Sequence, residues 1–370
     1  MQYTPLIPLS DLPENTHKSV KHGTRKIALF HYEGIISALD HACIHKGGDL
    51  GEGFIQILDA GERYVACPWH GWQYNLKTGQ APHDFKDRQA LYDVMVQDGM
   101  ICVSDKPLSD AFRAEHESDP MADLRNLEYQ TTATSLNVLG ISTTNMNRDL
   151  PRPSTSETAL QSALDIAASK FGAQTKMIKL RELDFRHCEG YYSRHEEACT
   201  WPCSISDMDA NDGMNEIYRS MVLWADAVIL ATPIRWGNAS SLYYKMAERL
   251  NTIQNQITIH DKVLIKHKAV SFIITGGQDN VQGVAGQLNS FFADLGFTFP
   301  PFHYLGWSRG WLAEDMENNY PRFFKSRYVK RSVVDLVTNT VKLVQQIKQM
   351  DASQLQAPKP EITEAESLSE

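Results

Sequence analysis

The chain has 370 residues, of which 42% are hydrophobic and 22% are charged, and its formal net charge is -9. This length exceeds what a single hydrophobic core usually serves, so two domains are expected. The acidic balance argues against a nucleic-acid partner, which would require a basic face, and gives no reason to expect an anionic membrane surface as a partner.

Targeting and membrane signals are not found in the sequence. The first residues lack a basic stretch followed by an apolar core, and no apolar run approaches the roughly 18 residues that span a bilayer. Six cysteines in a chain of this length do not suggest a disulfide framework. We therefore expect a reduced, cytoplasmic protein.

Residues 1–104 contain short apolar runs separated by turn residues. IALFHY and IISALD flank a Glu-Gly pair, and LYDVMV and MICVS flank Gln-Asp-Gly. Such pairs of runs are typical of β-hairpins. The pattern predicts an all-β domain over residues 1–104, followed by a polar linker over residues 105–133.

Residues 134–350 alternate between strand-like and helix-like patterns. The apolar runs SLNVLGIS, TKMIKL, DAVILATPI, AVSFIITGG and FTFPPFHYLG are separated by segments with helical periodicity. Five strands that alternate with helices predict an α/β domain with a doubly wound parallel sheet. Residues 351–370 contain five acidic residues and one lysine, and we predict that this tail is disordered.

Two short motifs in the first domain each pair a cysteine with a histidine. Cys43-x-His45 is separated by 21 residues from Cys67-x-x-His70. Two cysteines and two histidines suit either a tetrahedral zinc ion or a [2Fe-2S] cluster in which two histidines replace two cysteines on one iron. Zinc ribbons and fingers usually pair like ligands, whereas each motif here supplies one thiolate and one imidazole. The arrangement therefore favours iron, with zinc as the alternative.

The stretches around these motifs, CIHKGGDLGEG and CPWHGWQYNLKTG, resemble the two cluster-binding loops of the Rieske ferredoxin family. The resemblance covers about residues 3–104 and implies a β sandwich with the loops at its tip. It also implies that Cys43 and Cys67 bind one iron of a [2Fe-2S] cluster and that His45 and His70 bind the other. No further cysteine pair is available to join the loops, which indicates the ferredoxin-like branch and a potential near the low end of roughly -150 to +300 mV.

Three loops follow the carboxyl ends of predicted strands in the second domain, where doubly wound sheets bind their ligands. The first loop is rich in hydroxyls and precedes a helix, which suits a phosphate, with Ser142, Ser156 and Thr158 as the expected donors. The second loop is PIRWGNASSL and the third begins with TGGQ. Glycines in the third loop allow a flat ring to approach the backbone.

These three loops together resemble those of the flavodoxin-like NAD(P)H-dependent FMN reductases, which include the iron–sulfur flavoproteins, over about residues 134–325. The resemblance implies a parallel sheet of strand order 2-1-3-4-5, FMN bound through the hydroxyls of the first loop, and assembly as a dimer or tetramer. It also implies a set of residues around the flavin ring: Pro233, Arg235, Trp236, Gly237, Asn238, Thr275, Gly276 and Gly277.

Iron–sulfur flavoproteins also carry a compact four-cysteine motif after the second strand. The corresponding stretch here, HCEGYYSRHEEACTWPC, offers only Cys188, Cys199 and Cys203, so a second cluster is left open. Three residues further on, DMDANDG resembles a calcium loop but lacks glycine at the sixth position and glutamate at the twelfth. We assign it no metal.

A flavin accepts a hydride and a [2Fe-2S] cluster passes single electrons, so a chain with both suits two-to-one electron conversion. We expect an oxidoreductase with NAD(P)H as donor and an unidentified protein or small molecule as acceptor, and we predict no catalytic side chains. An FMN-dependent reductase of quinones or other small acceptors is one alternative, and a non-catalytic electron carrier or redox sensor is another. The sequence leaves open the direction of electron flow and the choice between NADH and NADPH.

Overall fold

The computed structural model describes residues 1–58, 61–82, 86–113, 121–130, 135–147, 149–150, 152–209, 211–276, 280–309 and 318–349. The chain divides into two compact units, the first formed by Met1–Arg125 with Cys188–Ala210 and the second by Asn126–His187 with Asn211–Glu370. The tail that we predict to be disordered, parts of the predicted linker, and Gly277 lie outside the described residues. The domain boundaries stay a prediction, and the structure adds that part of the second predicted domain belongs to the first unit.

The first unit consists mainly of antiparallel strands. They are β1 (Tyr3–Pro8), β2 (Thr16–His22), β3 (Arg25–Tyr32), β4 (Ile35–Asp40), β5 (Phe54–Ile57), β6 (Arg63–Ala66), β7 (Gln73–Asn75), β8 (Leu91–Gln97) and β9 (Met100–Ser109). The larger sheet has the order β1-β9-β8-β4-β3-β2 and the smaller has the order β5-β6-β7. The all-β prediction is confirmed.

Two tight turns explain the hairpins that the sequence predicts. Glu33 and Gly34, between β3 and β4, have φ values of 58° and 68°. Asp98 and Gly99, between β8 and β9, have φ values of 50° and 75°. Two consecutive positive φ values are those of a type I′ turn, whose twist matches that of the flanking antiparallel strands.

The second unit contains five parallel strands. They are β10 (Asn137–Ser142), β11 (Gln174–Lys179), β12 (Ala227–Pro233), β13 (Ala269–Gly276) and β14 (Tyr304–Ser308). Their order in the sheet is β11-β10-β12-β13-β14, which is the predicted 2-1-3-4-5. The flavodoxin-like fold class is therefore confirmed. Because β10 and β12 are neighbours, the loops that follow them emerge side by side at one sheet edge.

The described helices are α1 (Ala122–Asn126), α2 (Thr155–Phe171), α3 (Ser204–Met208), α4 (Met214–Tyr218), α5 (Ser241–Arg249), α6 (Asn251–His260), α7 (Val281–Asp294), α8 (Asn319–Lys325) and α9 (Arg327–Gln349). In the core of the second unit, Leu160 and Leu164 of α2 cluster with Val337 of α9 and with inward residues of the sheet. Phe272 of β13 contacts Phe292 of α7 at a ring-centroid distance of 5.4 Å. Within the described ranges, none of the helices combines the length and the apolar character that crossing a bilayer requires.

A buried ion pair fixes the two points at which the chain leaves and re-enters the second unit. Arg249 on α5 pairs with Asp212, and both side chains are fully buried. Its Nη1 also donates to Arg186 O at 2.8 Å, and Gly213 N donates to Asp184 O at 2.8 Å. Arg249 therefore holds together both ends of the intervening segment, which belongs to the first unit.

Replacing Arg249 by methionine would leave the Asp212 carboxylate buried without its cation. Breaking one partner of a buried pair costs about 3–5 kcal/mol, which corresponds to a fall of roughly 10 °C in the Tm of a unit of this size. Differential scanning fluorimetry measures this shift. Removing both charges together, in Arg249→Met with Asp212→Leu, should restore much of the lost stability. A single variant as stable as the wild type would contradict the role assigned to this pair.

Candidate metal centre and flavin site

The loops that carry the two Cys-His motifs share a backbone pattern. Gly47 N donates to Cys43 O at 2.8 Å, and Gly71 N donates to Cys67 O at 2.9 Å. Gly47 and Gly71 have φ values of 86° and 76°, a region in which a residue with a Cβ is strained. In each loop a glycine four residues after the cysteine therefore closes a turn around the motif.

The two loops bring the four predicted ligand side chains together. Cys43, His45, Cys67 and His70 are all buried, with at most 5% of their surface exposed. The two imidazole rings lie with centroids 4.7 Å apart. A Cβ added at Gly48 would lie 2.7 Å from Cys67 Sγ, so only glycine there lets the first loop approach the sulfur of the second.

The tautomers of the two histidines follow from their hydrogen bonds. His45 Nε2 lies 3.2 Å from Asp207 Oδ2, and His70 Nε2 lies 2.7 Å from Ala198 O. Since a carboxylate and a carbonyl oxygen only accept, both Nε2 atoms carry the proton and donate. Both Nδ1 atoms are buried without a hydrogen-bond partner. Each ring thus presents an unprotonated Nδ1 lone pair, which suits coordination of a metal.

Local electrostatics favour the metal-binding form of Cys43, His45 and His70, whereas Cys67 remains a thiol until a metal displaces its proton. The hydrogen bond from Cys67 lowers the pKa of the Cys43 thiol to about 7, while the same contact, together with burial, raises the pKa of Cys67. Burial lowers the pKa of His70 to about 4 and also lowers the pKa of His45. Both imidazoles are therefore neutral at neutral pH, as a metal ligand must be.

Three aromatic residues enclose this group. The Tyr74 hydroxyl lies 3.4 Å from Cys43 Sγ, and the residue is fully buried. Trp72 stacks on His45 at a centroid distance of 4.9 Å, and Trp69 stacks on His195 at 4.5 Å. The sequence reasoning did not single out Tyr74, because nothing in a short strand indicates that a hydroxyl will face a sulfur. The surroundings suit a redox centre that is shielded from water.

A segment from the sequence of the second domain covers the histidine side of these loops, and we call residues 188–209 the capping segment. It includes the short turns Tyr191–Ser193 and Glu196–Ala198 and helix α3. Besides Asp207 and Ala198 O, it contributes Thr200, whose hydroxyl accepts from Lys46 Nζ at 3.3 Å. These contacts join residues up to 162 positions apart in the chain.

Among the described residues of the capping segment, Asp207 is the acidic side chain that contacts a predicted cluster ligand, His45. Its side chain is 1% exposed, pairs with Arg125, and lies 3.9 Å from Arg113. Burial alone would raise the pKa of Asp207, but the hydrogen bonds with His45 and Arg125 outweigh it and hold this pKa below its usual range. The residue is therefore an anion that faces His45.

The three cysteines of the capping segment are not grouped as metal ligands. In the described part of the chain, no three His, Cys, Asp or Glu side chains are arranged around a single ion. Cys188, Cys199 and Cys203 therefore belong to no such group. The four predicted cluster ligands do not form one either, and a [2Fe-2S] cluster would divide them between two irons.

In the second unit, three hydroxyls meet at the N-terminus of α2. Thr144 Oγ1 lies 3.0 Å from Ser154 Oγ and 2.9 Å from Ser156 Oγ, and the two serine oxygens are 3.2 Å apart. Ser154 caps α2, a helix of 17 residues, by accepting from Glu157 N. Unpaired N–H groups and the helix dipole favour an anion at such a terminus.

The other two predicted phosphate donors stand beside this group. Ser142 is fully buried and donates to Glu157 Oε2 at 3.2 Å. Thr158 lies within the first turn of α2. Glu157 is neutralised by Arg181 and by Lys179 Nζ at 3.1 Å. Thr144 and Ser154 were missed by the sequence reasoning, although hydroxyl residues at both ends of the loop could have indicated them.

The loop after β12 forms a tight turn. Arg235 N donates to Asn238 O at 2.7 Å, and Asn238 N donates to Arg235 O at 2.9 Å. Trp236 and Gly237 between them have φ values of 49° and 72°. A tryptophan in the left-handed region is uncommon, and such strain is often found at functional sites. Its side chain is 89% exposed and therefore accessible to a ligand.

The loops after β12 and β13 are tied together. Pro233 is paired with Thr275 in the parallel register. A Cβ added at Gly276 would lie 2.7 Å from Ile234 Cβ, so glycine is needed for this close approach. Asn280, which the sequence reasoning did not single out, donates from Nδ2 to Gly237 O at 2.6 Å. The structure thus brings the described members of the predicted ring-binding set, which exclude Gly277, to one edge of the sheet.

Two cations stand near these loops. Partial burial of the guanidinium, and after it the neighbouring Arg152, lower the pKa of Arg235. Arg152 therefore lies close enough to Arg235 for their positive charges to repel, and a bound anion would relieve this repulsion. The location suits a phosphate of a flavin or a pyridine nucleotide.

Comparisons with known families match both units. The family model described as the Rieske [2Fe-2S] domain matches residues 2–92, and the model described as NADPH-dependent FMN reductase matches residues 137–311.

Two curated relatives each match about a quarter of the chain or less. The 3-phenylpropionate/cinnamic acid dioxygenase ferredoxin subunit of Photorhabdus laumondii is 33% identical over 97 residues, which are 26% of this chain and 88% of that protein. The ferredoxin component of naphthalene 1,2-dioxygenase/salicylate 5-hydroxylase systems of Ralstonia sp is 34% identical over 73 residues, which are 20% of this chain and 65% of that protein. Among solved structures, RosB with bound 8-demethyl-8-formylriboflavin-5'-phosphate superposes with a TM-score of 0.47 at 19% identity, over 58% of this chain and 81% of that one.

Proposed function

Since the chain belongs to the Rieske [2Fe-2S] family through its N-terminal part and carries an NADPH-dependent FMN reductase domain, we propose that it passes electrons between NAD(P)H, FMN and the cluster. The electrons continue to a partner protein or a small acceptor. The flavin supplies two-electron hydride chemistry and the cluster supplies one-electron transfer. The observation that carries the proposal is the group of two buried cysteines and two histidines whose Nδ1 atoms both lack a partner.

The chain's contribution at the cluster is to hold four ligands in the correct chemical form. We assign Cys43 and Cys67 to one iron and His45 and His70 to the other, with Nδ1 as the coordinating atom of each imidazole. The outer hydrogen bonds on Nε2 support this assignment because they fix the tautomer before a metal binds. Tyr74 adds a hydroxyl at Cys43 Sγ, and hydrogen bonds to sulfur raise the potential of such clusters.

The chain's contribution at the flavin is a phosphate site and two ring-facing loops. We assign the FMN phosphate to the hydroxyls of Thr144, Ser154 and Ser156, with Ser142 and Thr158 beside them. The three mutually close hydroxyls at a long helix N-terminus support this assignment. The ring-facing set that we assign comprises Pro233, Arg235, Trp236, Gly237, Asn238, Thr275, Gly276 and Gly277.

The test is an anaerobic titration of the purified protein with NADPH and then NADH, followed by visible absorption and low-temperature EPR. We expect the flavin absorption to bleach and a Rieske-type EPR signal to grow with it, with NADPH acting at lower concentration than NADH. Bound FMN would supply hydride chemistry and a bound cluster one-electron transfer, and the matched family model is described as NADPH-dependent.

Dithionite supplies the control for this titration because it reduces the cluster without a pyridine nucleotide. If dithionite produces the Rieske signal but neither nucleotide bleaches the flavin, the reductase proposal fails and the chain is a carrier or sensor. If the flavin bleaches while the cluster stays oxidised, electron transfer between the two cofactors is refuted.

A further inference from the structure

Asp207 fixes the tautomer of His45 in the proposed function, and its negative charge can have a further effect there. Its carboxylate accepts from His45 Nε2, the atom opposite the unpartnered Nδ1 of the same ring. The two side chains are each 1% exposed, so water does not screen the contact. Asp207 is therefore placed to act on whatever His45 coordinates.

The charges around Asp207 are few and close. Arg125 forms an ion pair with it, and Arg113 approaches to 3.9 Å from a more exposed position. Lys46, next to His45 in the chain, donates to the Thr200 hydroxyl at 3.3 Å and is a third cation that interacts with the Asp207 charge. The arginines hold the carboxylate in place and offset part of its charge.

His70 meets the same segment in a different way. Its Nε2 donates to Ala198 O at 2.7 Å, a neutral acceptor. The Tyr191 ring contacts His70 edge-on at a centroid distance of 5.0 Å. One histidine thus has an anionic outer partner and the other a neutral one, and both partners come from the capping segment.

We propose that the capping segment tunes the cluster from within the chain, with Asp207 as the positioning residue that orients His45 and lowers the midpoint potential of the cluster. This inference rests on the assignment of His45 as a ligand under the proposed function. The segment supplies the hydrogen-bond acceptors for Nε2 of both histidines. On either side of the segment, Asp212 and Arg186 both bond to Arg249.

The sign of the effect follows from electrostatics. Reducing the cluster adds one electron, and a nearby anion disfavours the added negative charge. A carboxylate that accepts from Nε2–H also makes the imidazole a stronger donor, which stabilises the oxidised metal. Both effects lower the potential. Removing the charge of Asp207 should raise it, and removing the charge of Arg125 should lower it.

The experiment is an EPR-monitored redox titration of the holoprotein at one fixed pH. We expect Asp207→Asn to keep the Rieske signal and shift its midpoint potential upward, and Arg125→Gln to shift it downward. Asp207→Glu, which keeps the charge, should stay close to the wild type. Glu196→Gln removes the same charge from an exposed site on the same segment and should leave the potential unchanged, because water screens exposed charges.

The outcomes separate this inference from the proposed function. A wild-type protein without a Rieske signal refutes the ligand assignment itself. If Asp207→Asn keeps its Rieske signal and its midpoint potential is as little shifted as that of Glu196→Gln, the tuning role is refuted. The ligand assignment is not affected by this outcome. If Asp207→Asn loses the cluster, the Asp207→Glu variant distinguishes a positioning role from a structural one. A Rieske signal near the wild-type potential in Asp207→Glu supports the positioning role. Loss of the signal in Asp207→Glu shows that the residue only stabilises the fold.

Discussion

We expect Cys67→Ser to remove the Rieske-type EPR signal from the purified protein and to leave its flavin in place. Cys67 is 1% exposed and lies at the contact between the two ligand loops, where Gly48 has no room for a Cβ. A serine oxygen is a poor substitute for the thiolate that iron–sulfur clusters require. We expect the iron content to fall to near zero, while NADPH still bleaches the flavin because the FMN loops belong to the other unit.

Cys102→Ser is the matched control for this variant. Cys102 lies on β9 in the same unit and is also buried, and its sulfur lies 3.7 Å from Met100 O. This variant should keep the full EPR signal and iron content. Cys67→Ser with an unchanged signal would refute the ligand assignment. A colourless wild-type first unit with stoichiometric zinc would establish the zinc alternative instead.

We expect Ser156→Asp to abolish FMN binding while leaving the affinity for riboflavin largely unchanged. Ser156 is 1% exposed and lies 2.9 Å from the Thr144 hydroxyl, so a carboxylate there would occupy the proposed phosphate position. Placing like charges together costs several kcal/mol, which is a loss of at least about 100-fold in affinity. Riboflavin has no phosphate and would not meet this repulsion.

Titration of the apoprotein with FMN and with riboflavin, followed by flavin fluorescence, measures both affinities. Ser156→Ala should give an intermediate loss for FMN of roughly 10-fold, because it removes one hydrogen bond to a charged group. Ser169→Asp, at an exposed position on the same helix, should change neither affinity. An equal loss for both flavins in Ser156→Asp would show structural damage, and no loss for either would place the phosphate elsewhere.

Much of this protein could be read from short stretches of its sequence. The hairpins of the first unit follow from apolar runs around turn residues such as Gly34 and Gly99, whose positive φ values the strands require. The parallel sheet follows from five buried runs separated by helical periodicity. Both cofactors follow from short loop motifs, two for the cluster and three for the flavin, because the residue spacing within each loop limits what it can bind.

Only the tertiary structure shows which groups form hydrogen bonds and ion pairs with the residues of those motifs. Asp207 lies 162 residues from His45, in the stretch DMDANDG, which resembles a calcium loop but lacks two of its required residues. No local sequence pattern distinguishes Asp207 from the other acidic residues. Ala198 contributes a backbone oxygen, which any residue possesses. Arg249 joins two chain points through a buried pair, and Thr144 meets Ser154 across a loop. Such contacts depend on where the chain returns in space, so the sequence determined the cofactors and the fold determined their surroundings.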